Sequence, residues 1–437
     1  MTTPKGPFKV TKRPNVIVFF TDQQRWDTVG AHGSTMGATP NFDRLARSGM
    51  LVRNSFTCQP VCGPARSILQ TGKYPTTTGC YRNSIALPRS ERTLAHHFAA
   101  AGYDTAYIGK WHLADNEPVP LEERGGYNEW LASNILEFTS YAYDTVMYDN
   151  DNRPVRLPGY RVDALTDAAI RYLDRSHDKP FFLFVSYLEP HHQNQTDDYP
   201  APAGYEERMR EKVVLPGDLL ALGGTAQKQF PGYMGQIARI DEAYGRLNDA
   251  LHSLKLTDST VLMYTSDHGN HFKTRNAEYK RSCHEASIRV PTLFTGPGFD
   301  GRGAHDGMVS LIDLPSTLLD AAGIEPPAHM QGRSILRNEP GPEDDMFIQV
   351  SEDHVGRALR TRRWKYEVIA PGGDGWNQMN APLYREAHLY DLEADPHELN
   401  NLAASPGHAG IRAGLRERLI ARMQQAGEGV PQIEPAG

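Results

Sequence analysis

The stretch Asn15-Val16-Ile17-Val18-Phe19-Phe20-Thr21 is an unbroken apolar run that follows Pro14 and stops at Asp22-Gln23-Gln24-Arg25. A short run without polar alternation predicts a strand buried on both faces, as strands of a parallel sheet are. Three more runs repeat the pattern. Residues 104–108 end at Gly109-Lys110-Trp111-His112, residues 180–187 (PFFLFVSY) at Glu189-Pro190-His191-His192, and residues 259–266 (STVLMYTS) at Asp267-His268-Gly269. A further strand is expected at 288–295. Helical patterns at 41–48, 91–101, 162–176, 233–254 and 311–322 lie among these runs. Strands alternating with helices predict an α/β fold: a large mixed, mostly parallel sheet flanked by helices.

From about residue 331 the pattern changes. Segments 346–350, 356–361, 364–369 and 388–391 predict a small, mainly antiparallel sheet, and 411–425 a last helix. The expected organisation is a catalytic domain over 1–335 and a small C-terminal α+β domain over 336–437, joined at 332–342. Residues 116–159 look irregular and aromatic-rich. Long insertions of that kind tend to carry function. With the polar loop 193–230 they are expected to shape a pocket, Trp130, Tyr141, Tyr143 and Tyr148 offering stacking surfaces. Glu352, Asp353, His354, Arg357 and Arg360 could reach a ligand's hydroxyls, or form an ordinary charged sheet face.

Bulk properties exclude several classes. The 437-residue chain carries a formal net charge of −7 with its Lys and Arg scattered. Nucleic-acid binders usually show a basic stripe, so no nucleic-acid partner is expected. No run approaches the roughly 20 apolar residues of a membrane span, so no membrane partner is expected either. Residues 1–14 are polar and basic with no apolar core, and no secretory signal is visible. Four cysteines, Cys58, Cys62, Cys80 and Cys283, make no disulfide framework in so long a chain. A reducing, cytoplasmic setting is the expectation, which leaves the acceptor pattern Asn194-Gln195-Thr196 without meaning.

Cys62-Gly63-Pro64-Ala65-Arg66, running on to Thr71-Gly72, reads as a helix. Pro64 suits its first position, and Gly72 its end with Pro75 just beyond. Cys62 then sits where backbone N–H groups and the helix dipole favour negative charge. Arg66, four residues on, returns to the same face. A packed structural cysteine would explain Cys62 equally well.

The polar residues at the strand ends tip that balance. Asp22, Lys110 with His112, His191, and Asp267 with His268 each come soon after an apolar run. Open α/β sheets bind ligands at the carboxyl ends of their strands, so four clusters distant in sequence meet at one edge. Asp22, Gln23, Asp267 and His268 supply oxygen and imidazole ligands that suit a hard divalent cation, Ca²⁺, Mg²⁺ or Mn²⁺. Zn²⁺ fits less well, since multiple imidazoles are missing. Such an ion would supply the local positive charge that an anionic substrate needs.

The motif C-x-P-[SA]-R followed by T-G resembles that of the formylglycine-dependent sulfatases of the alkaline phosphatase superfamily. Gly109-Lys110-Trp111-His112-Leu113, Pro190-His191, and Asp267-His268-Gly269 with Lys280 and Arg289-Val290-Pro291 resemble the family's further motifs. Leu389-Tyr390-Asp391-Leu392 with Asp395-Pro396 and Asn400-Asn401-Leu402 resembles its C-terminal signature. The resemblance covers about 14–300 and 345–403. It implies a sulfatase acting on an O-sulfate monoester, with Cys62 oxidised by a formylglycine-generating enzyme to Cα-formylglycine. One hydroxyl of the aldehyde hydrate attacks sulfur, and the second expels sulfate afterwards. The metal set would be Asp22, Gln23, Cys62 (as formylglycine), Asp267 and His268, with Ca²⁺ the expected ion and Mn²⁺ or Mg²⁺ as rivals. Arg66 would steady the formylglycine. Lys110, His191 and Lys280 would hold sulfate oxygens or protonate the leaving oxygen, and His112 would be the base. Many relatives have a second aspartate at Gln23 and an asparagine at His268. The set present here resembles the branch of choline sulfatase and the phosphonate monoester hydrolases, so hydrolysis of phosphonate monoesters or phosphodiesters is the alternative. A sulfated carbohydrate is the expected substrate. A non-catalytic binding protein on the same fold is the reading from another class, but it has no use for an oxidisable Cys62 beside a metal site.

Overall fold

In the computed structural model, which describes residues 13–337 and 345–437, two sheets form the scaffold. The first twelve residues, and part of the expected join at 332–342, lie outside that description. The large sheet has ten strands: β1 (Asn15–Thr21), β2 (Met50–Phe56), β3 (Asp104–Lys110), β4 (Glu129–Ser133), β5 (Thr145–Tyr148), β6 (Pro154–Leu157), β7 (Phe181–Ser186), β8 (Thr260–Ser266), β9 (Thr292–Thr295) and β10 (Gly303–Ser310). Their order is β10-β2-β9-β8-β1-β7-β3-β4-β5-β6. The run β8-β1-β7-β3-β4 is parallel throughout, and antiparallel strands flank it.

β1 is central because it is apolar on both faces. Val16, Val18 and Phe20 belong to one apolar cluster, while Ile17 and Phe19 belong to another. Period-two alternation sends successive side chains to opposite faces, and both faces are covered here. The register aligns the strand ends: Thr21 pairs with Ser266, Phe20 with Ser186, and Gly109 with Ser186. Asp22, Lys110, His191 and Asp267 therefore leave the sheet at one edge. At Gly109 (φ 114°) an added Cβ would lie 1.9 Å from the Ser186 carbonyl oxygen, so only glycine lets β3 approach β7 there.

The expectations for 116–159 need correction. Strands β4, β5 and β6 come from this stretch and extend the sheet. Trp130 lies in the core against Tyr107 and Trp111 rather than in a pocket, while Tyr141 and Tyr143 are exposed. Strands β2 and β10 are additions to the expected set, and the expected strand at 288–295 shortens to β9 behind the helical turn Glu285–Ile288. The loop 193–230 contains the helices Tyr205–Arg210 and Gly217–Leu222. The long helix, expected over 233–254, runs over Ala226–Ser253, with Pro231-Gly232 in its second turn.

The small sheet has the order β11-β12-β13-β14-β15, from β11 (Asp345–Val350), β12 (Gly356–Thr361), β13 (Trp364–Ile369), β14 (Leu383–Asp391) and β15 (Gln432–Glu434). All pairs are antiparallel except the last. The helix Ala409–Gln425 covers one face through Leu415, Leu419 and Met423. Arg357 and Arg360 do not form a charged sheet face. Both are buried, paired with Glu428 and Glu285. Among the described residues, no helix is long and apolar enough to cross a membrane.

Candidate active site

The helix Cys62–Thr71 enters beneath the carboxyl edge of the large sheet, and every residue in it is buried. It starts at Cys62, so Pro64 is its third residue rather than its first. The proline costs no hydrogen bond there, because first-turn N–H groups have no partner within the helix. Gly72 closes the helix in the left-handed conformation at φ 67°. Cys62 is thus the first helical residue, with the dipole's positive end at its sulfur.

Around Cys62 Sγ the strand ends converge. Lys280 Nζ donates at 2.7 Å, His268 Nε2 lies at 3.3 Å and Asp22 Oδ1 at 3.6 Å. His112 is also close enough to favour the thiolate. Burial disfavours a thiolate, yet the Lys110 and Lys280 cations outweigh it and hold the thiol well below its usual range.

Arg66 is buried one turn further on. Its guanidinium donates to Asp22 Oδ2 at 2.9 Å, to the Lys110 carbonyl at 2.9 Å and to Ser186 Oγ at 2.7 Å. Lys110 Nζ donates to Asp22 Oδ2 and to Glu137 Oε1, both at 2.9 Å. Burial and the Cys62 charge oppose ionisation of Asp22, but the Lys110 and Arg66 cations hold it ionised far into the acid range. His191 Nδ1 donates to the His192 carbonyl at 2.6 Å, which leaves Nε2 to accept from Lys280 Nζ at 3.2 Å. Burial, helped by the Lys280 charge, keeps His191 neutral by lowering its pKa.

The donor set suits a divalent cation. Ligand atoms of Asp22, Cys62, Asp267 and His268 all lie within 4.8 Å of one another, and all four residues are buried. His268 gives its Nδ1 proton to the Gly269 carbonyl at 3.0 Å, so the Nε2 lone pair faces the cluster. Asp267 Oδ1 accepts from the backbone of Gln23 and His268, but Oδ2 is buried with no hydrogen-bond partner among the described residues, and Arg66 comes no nearer than 3.5 Å. Burial and then the Asp22 charge push Asp267 up to about 7. A bound dication removes both penalties. Gln23 reaches the cluster through its backbone, at φ 66°, while its side-chain Oε1 accepts from His192 Nδ1 at 3.3 Å.

The structure thus brings together Asp22, Cys62, Arg66, Lys110, His112, His191, Asp267, His268 and Lys280, with Gln23 alongside. Three supporting residues lie outside the motifs. Glu137 holds Lys110 from the insertion. Asn83 accepts from Gly63 N at 2.8 Å, and Glu352 accepts from Asn83 N at 2.6 Å while pairing with Arg281 at 2.6 Å. The acidic loop before β12 is the one sequence signal that points to any of them. His192 stacks on His191 with ring centroids 4.3 Å apart.

A profile of the sulfatase family matches residues 14–324. The chain belongs to the sulfatase family. Its members are sulfuric ester hydrolases of the alkaline phosphatase superfamily, and they generally work through formylglycine and a divalent metal. A second profile, the C-terminal region of N-sulphoglucosamine sulphohydrolase, matches residues 277–425. The sulfatase is 30% identical over 440 residues to an ulvan-active sulfatase of Formosa agariphila, covering 95% of this chain and 82% of that one. It is 26% identical to the N-acetylglucosamine-6-O-sulfatase of Bacteroides thetaiotaomicron, covering 95% and 87%. The crystal structure of the Bacteroides fragilis yidJ protein superposes with a TM-score of 0.81 over 98% of both chains at 24% identity, a likeness of fold. Relatives also include a choline-sulfatase of Rhizobium meliloti at 26% identity, covering 91% of this chain and 83% of that one. The phosphonate monoester hydrolase of Agrobacterium radiobacter matches at 25% identity and a TM-score of 0.69, covering 94% and 96%.

Proposed function

We propose that this sulfatase hydrolyses an O-sulfate monoester of a carbohydrate, with Cys62 as precursor of its nucleophile. The observation that carries the reading is the placement of Cys62: a buried first residue of a helix, 2.7 Å from Lys280 and within reach of Asp22, Asp267 and His268. A formylglycine-generating enzyme, consuming an external oxidant such as dioxygen, oxidises the Cys62 side-chain carbon to the aldehyde with release of the sulfur, and water hydrates the aldehyde to a gem-diol. Asp22, Asp267, His268 and residue 62, with Gln23 beside them, would hold a divalent cation, Ca²⁺ before Mn²⁺ or Mg²⁺, which would supply positive charge that polarises the sulfate and favours an ionised hydroxyl.

One gem-diol oxygen bonds to sulfur as the bond from sulfur to the sugar oxygen breaks. The departing oxygen takes a proton from Lys280, which His191 orients through Nε2. Arg66 fixes Asp22 and the helix end. Lys110 places a second buried cation beside the sulfate. His112 removes the proton of the remaining hydroxyl, the carbon–oxygen bond to sulfate breaks, and the aldehyde returns. A plain serine or cysteine has no second hydroxyl for that step.

The carbohydrate assignment is supported by the names of the ulvan-active and N-acetylglucosamine relatives. The small sheet, within 336–437, completes the pocket through Glu352. Mass spectrometry of the Cys62 peptide from a host with the maturation enzyme, followed by a screen of sulfated sugars, tests the reading. Thiol alone at residue 62 sinks the mechanism. Gln23 and His268 favour a second reading, phosphonate monoester hydrolysis, which a higher kcat/KM on an aryl phosphonate than on sulfate esters would establish.

A further inference from the structure

A second cluster of metal-binding side chains lies where the small sheet meets the segment carrying Lys280. Glu367 on β13 and His388 on β14 are directly opposite one another in the strand register. His388 Nδ1 lies 2.7 Å from Glu367 Oε2. Cys283, three residues beyond Lys280, comes from the large domain. The ligand atoms of Cys283, Glu367 and His388 all lie within 4.8 Å of one another. A tetrahedral Zn²⁺ site, with bonds of 2.0–2.3 Å, spaces its ligand atoms about 3.3–3.8 Å apart. The three donors therefore need only small side-chain rotations to close on one ion.

The surroundings favour such a site over a simple ion pair. Cys283 is fully buried among Phe56, Ile288, Met346 and Ile348, and Glu367 is 1% exposed. His388 keeps 29% of its side chain exposed. It faces a cavity of about 330 Å³ that His284, His354 and Tyr390 also line. That cavity gives an entry path and an open coordination position. His284 is 5% exposed, its Nδ1 is buried with no hydrogen-bond partner among the described residues, and its ring centroid lies 5.5 Å from that of His388. His354 holds the other carboxylate oxygen, Nε2 to Glu367 Oε1 at 3.2 Å, and its Nδ1 is tied to Asp353 at 2.7 Å. Outer carboxylate–histidine contacts of this kind orient metal ligands.

We infer that Cys283, Glu367 and His388 bind a borderline divalent cation of the Zn²⁺ class, with a fourth position open to the cavity. One sulfur, one nitrogen and one carboxylate oxygen select such an ion over Ca²⁺ or Mg²⁺. The ion clamps the small sheet to the segment that delivers Lys280. This site is independent of the sulfatase mechanism and requires no turnover to be seen.

The test is Co²⁺ titration of the full chain carrying Cys62→Ala, so that the active-site thiol cannot contribute. A thiolate-to-cobalt charge-transfer band should saturate near one equivalent and be displaced by Zn²⁺. It should vanish in Cys62→Ala/Cys283→Ser, and affinity should fall at least roughly tenfold in Cys62→Ala/His388→Gln. Absence of the band at excess Co²⁺, or its survival in the Cys283→Ser chain, overturns the inference. If near-UV circular dichroism shows that the Cys283→Ser chain does not fold, the His388→Gln chain decides, and unchanged affinity there overturns the site.

Discussion

Lys280 Nζ stands 2.7 Å from Cys62 Sγ and 3.2 Å from His191 Nε2, bridging the start of the Cys62 helix and the loop after β7. A cation so placed stabilises negative charge on residue 62 and can donate a proton outward. Lys280→Ala is expected to lower kcat of the matured enzyme by about 10²–10⁴-fold. In the unmatured chain the same substitution should move the pH profile of Cys62 alkylation upward, because one of the charges that lower the thiol pKa is gone. Unchanged turnover together with an unchanged alkylation profile would remove Lys280 from the mechanism.

Arg66 joins stability to chemistry. It is buried and donates to Asp22, to Ser186 and to the Lys110 carbonyl. Removing one partner of a buried network strands the others, at a cost of about 3–5 kcal/mol. Arg66→Ala should therefore lower the urea midpoint and abolish activity together. Arg66→Lys should recover part of the stability but little turnover, since an ammonium cannot reproduce the guanidinium fork. An Arg66→Ala chain with the wild-type midpoint would contradict this account.

Much of this site was legible in the chain. The double-faced apolar run at Val16–Phe20 specified a parallel sheet, and the residues after each such run were delivered to one edge. Residues whose role depends on distant partners were hidden. Glu137 reads as one more acid in a loop until the fold carries it to Lys110. Trp130 reads as a stacking platform, but it occupies alternate register on β4 and faces the core. Arg357 and Arg360 look like a solvated face because no local pattern announces Glu428 or Glu285. Strands β2 and β10 escaped notice because polar residues such as Arg53, Asn54, His305 and Asp306 interrupt them.

Metal removal should act on stability as well as on rate. Asp22 and Asp267 are buried together, and Asp267 Oδ2 has no hydrogen-bond partner among the described residues. Chelation by EDTA is expected to abolish turnover and lower Tm, with Ca²⁺ restoring both. In Asp267→Asn one of the two opposed charges is gone, so Tm should respond much less to chelator. Differential scanning calorimetry with and without EDTA distinguishes the cases; an identical chelator effect in both proteins would place the stabilising ion elsewhere.

His271 sets an acid limit on the fold. It is fully buried, its Nε2 donates to the Lys280 carbonyl at 3.0 Å, and its Nδ1 has no hydrogen-bond partner among the described residues. Burial lowers its pKa to about 4, against 6.5 for an unconstrained histidine. The folded state therefore holds the neutral ring while the unfolded chain takes up a proton below pH 6.5. Stability from this group is complete above pH 6.5 and is lost as pH falls toward 4, by about 1.4 kcal/mol per pH unit and about 3 kcal/mol in all. His271→Gln cannot titrate and keeps a side-chain donor. Its unfolding free energy should fall less steeply than that of the wild type between pH 6.5 and 4.5. Urea unfolding at three pH values in that window measures the difference, and parallel slopes for the two proteins would show that His271 is not the group responsible.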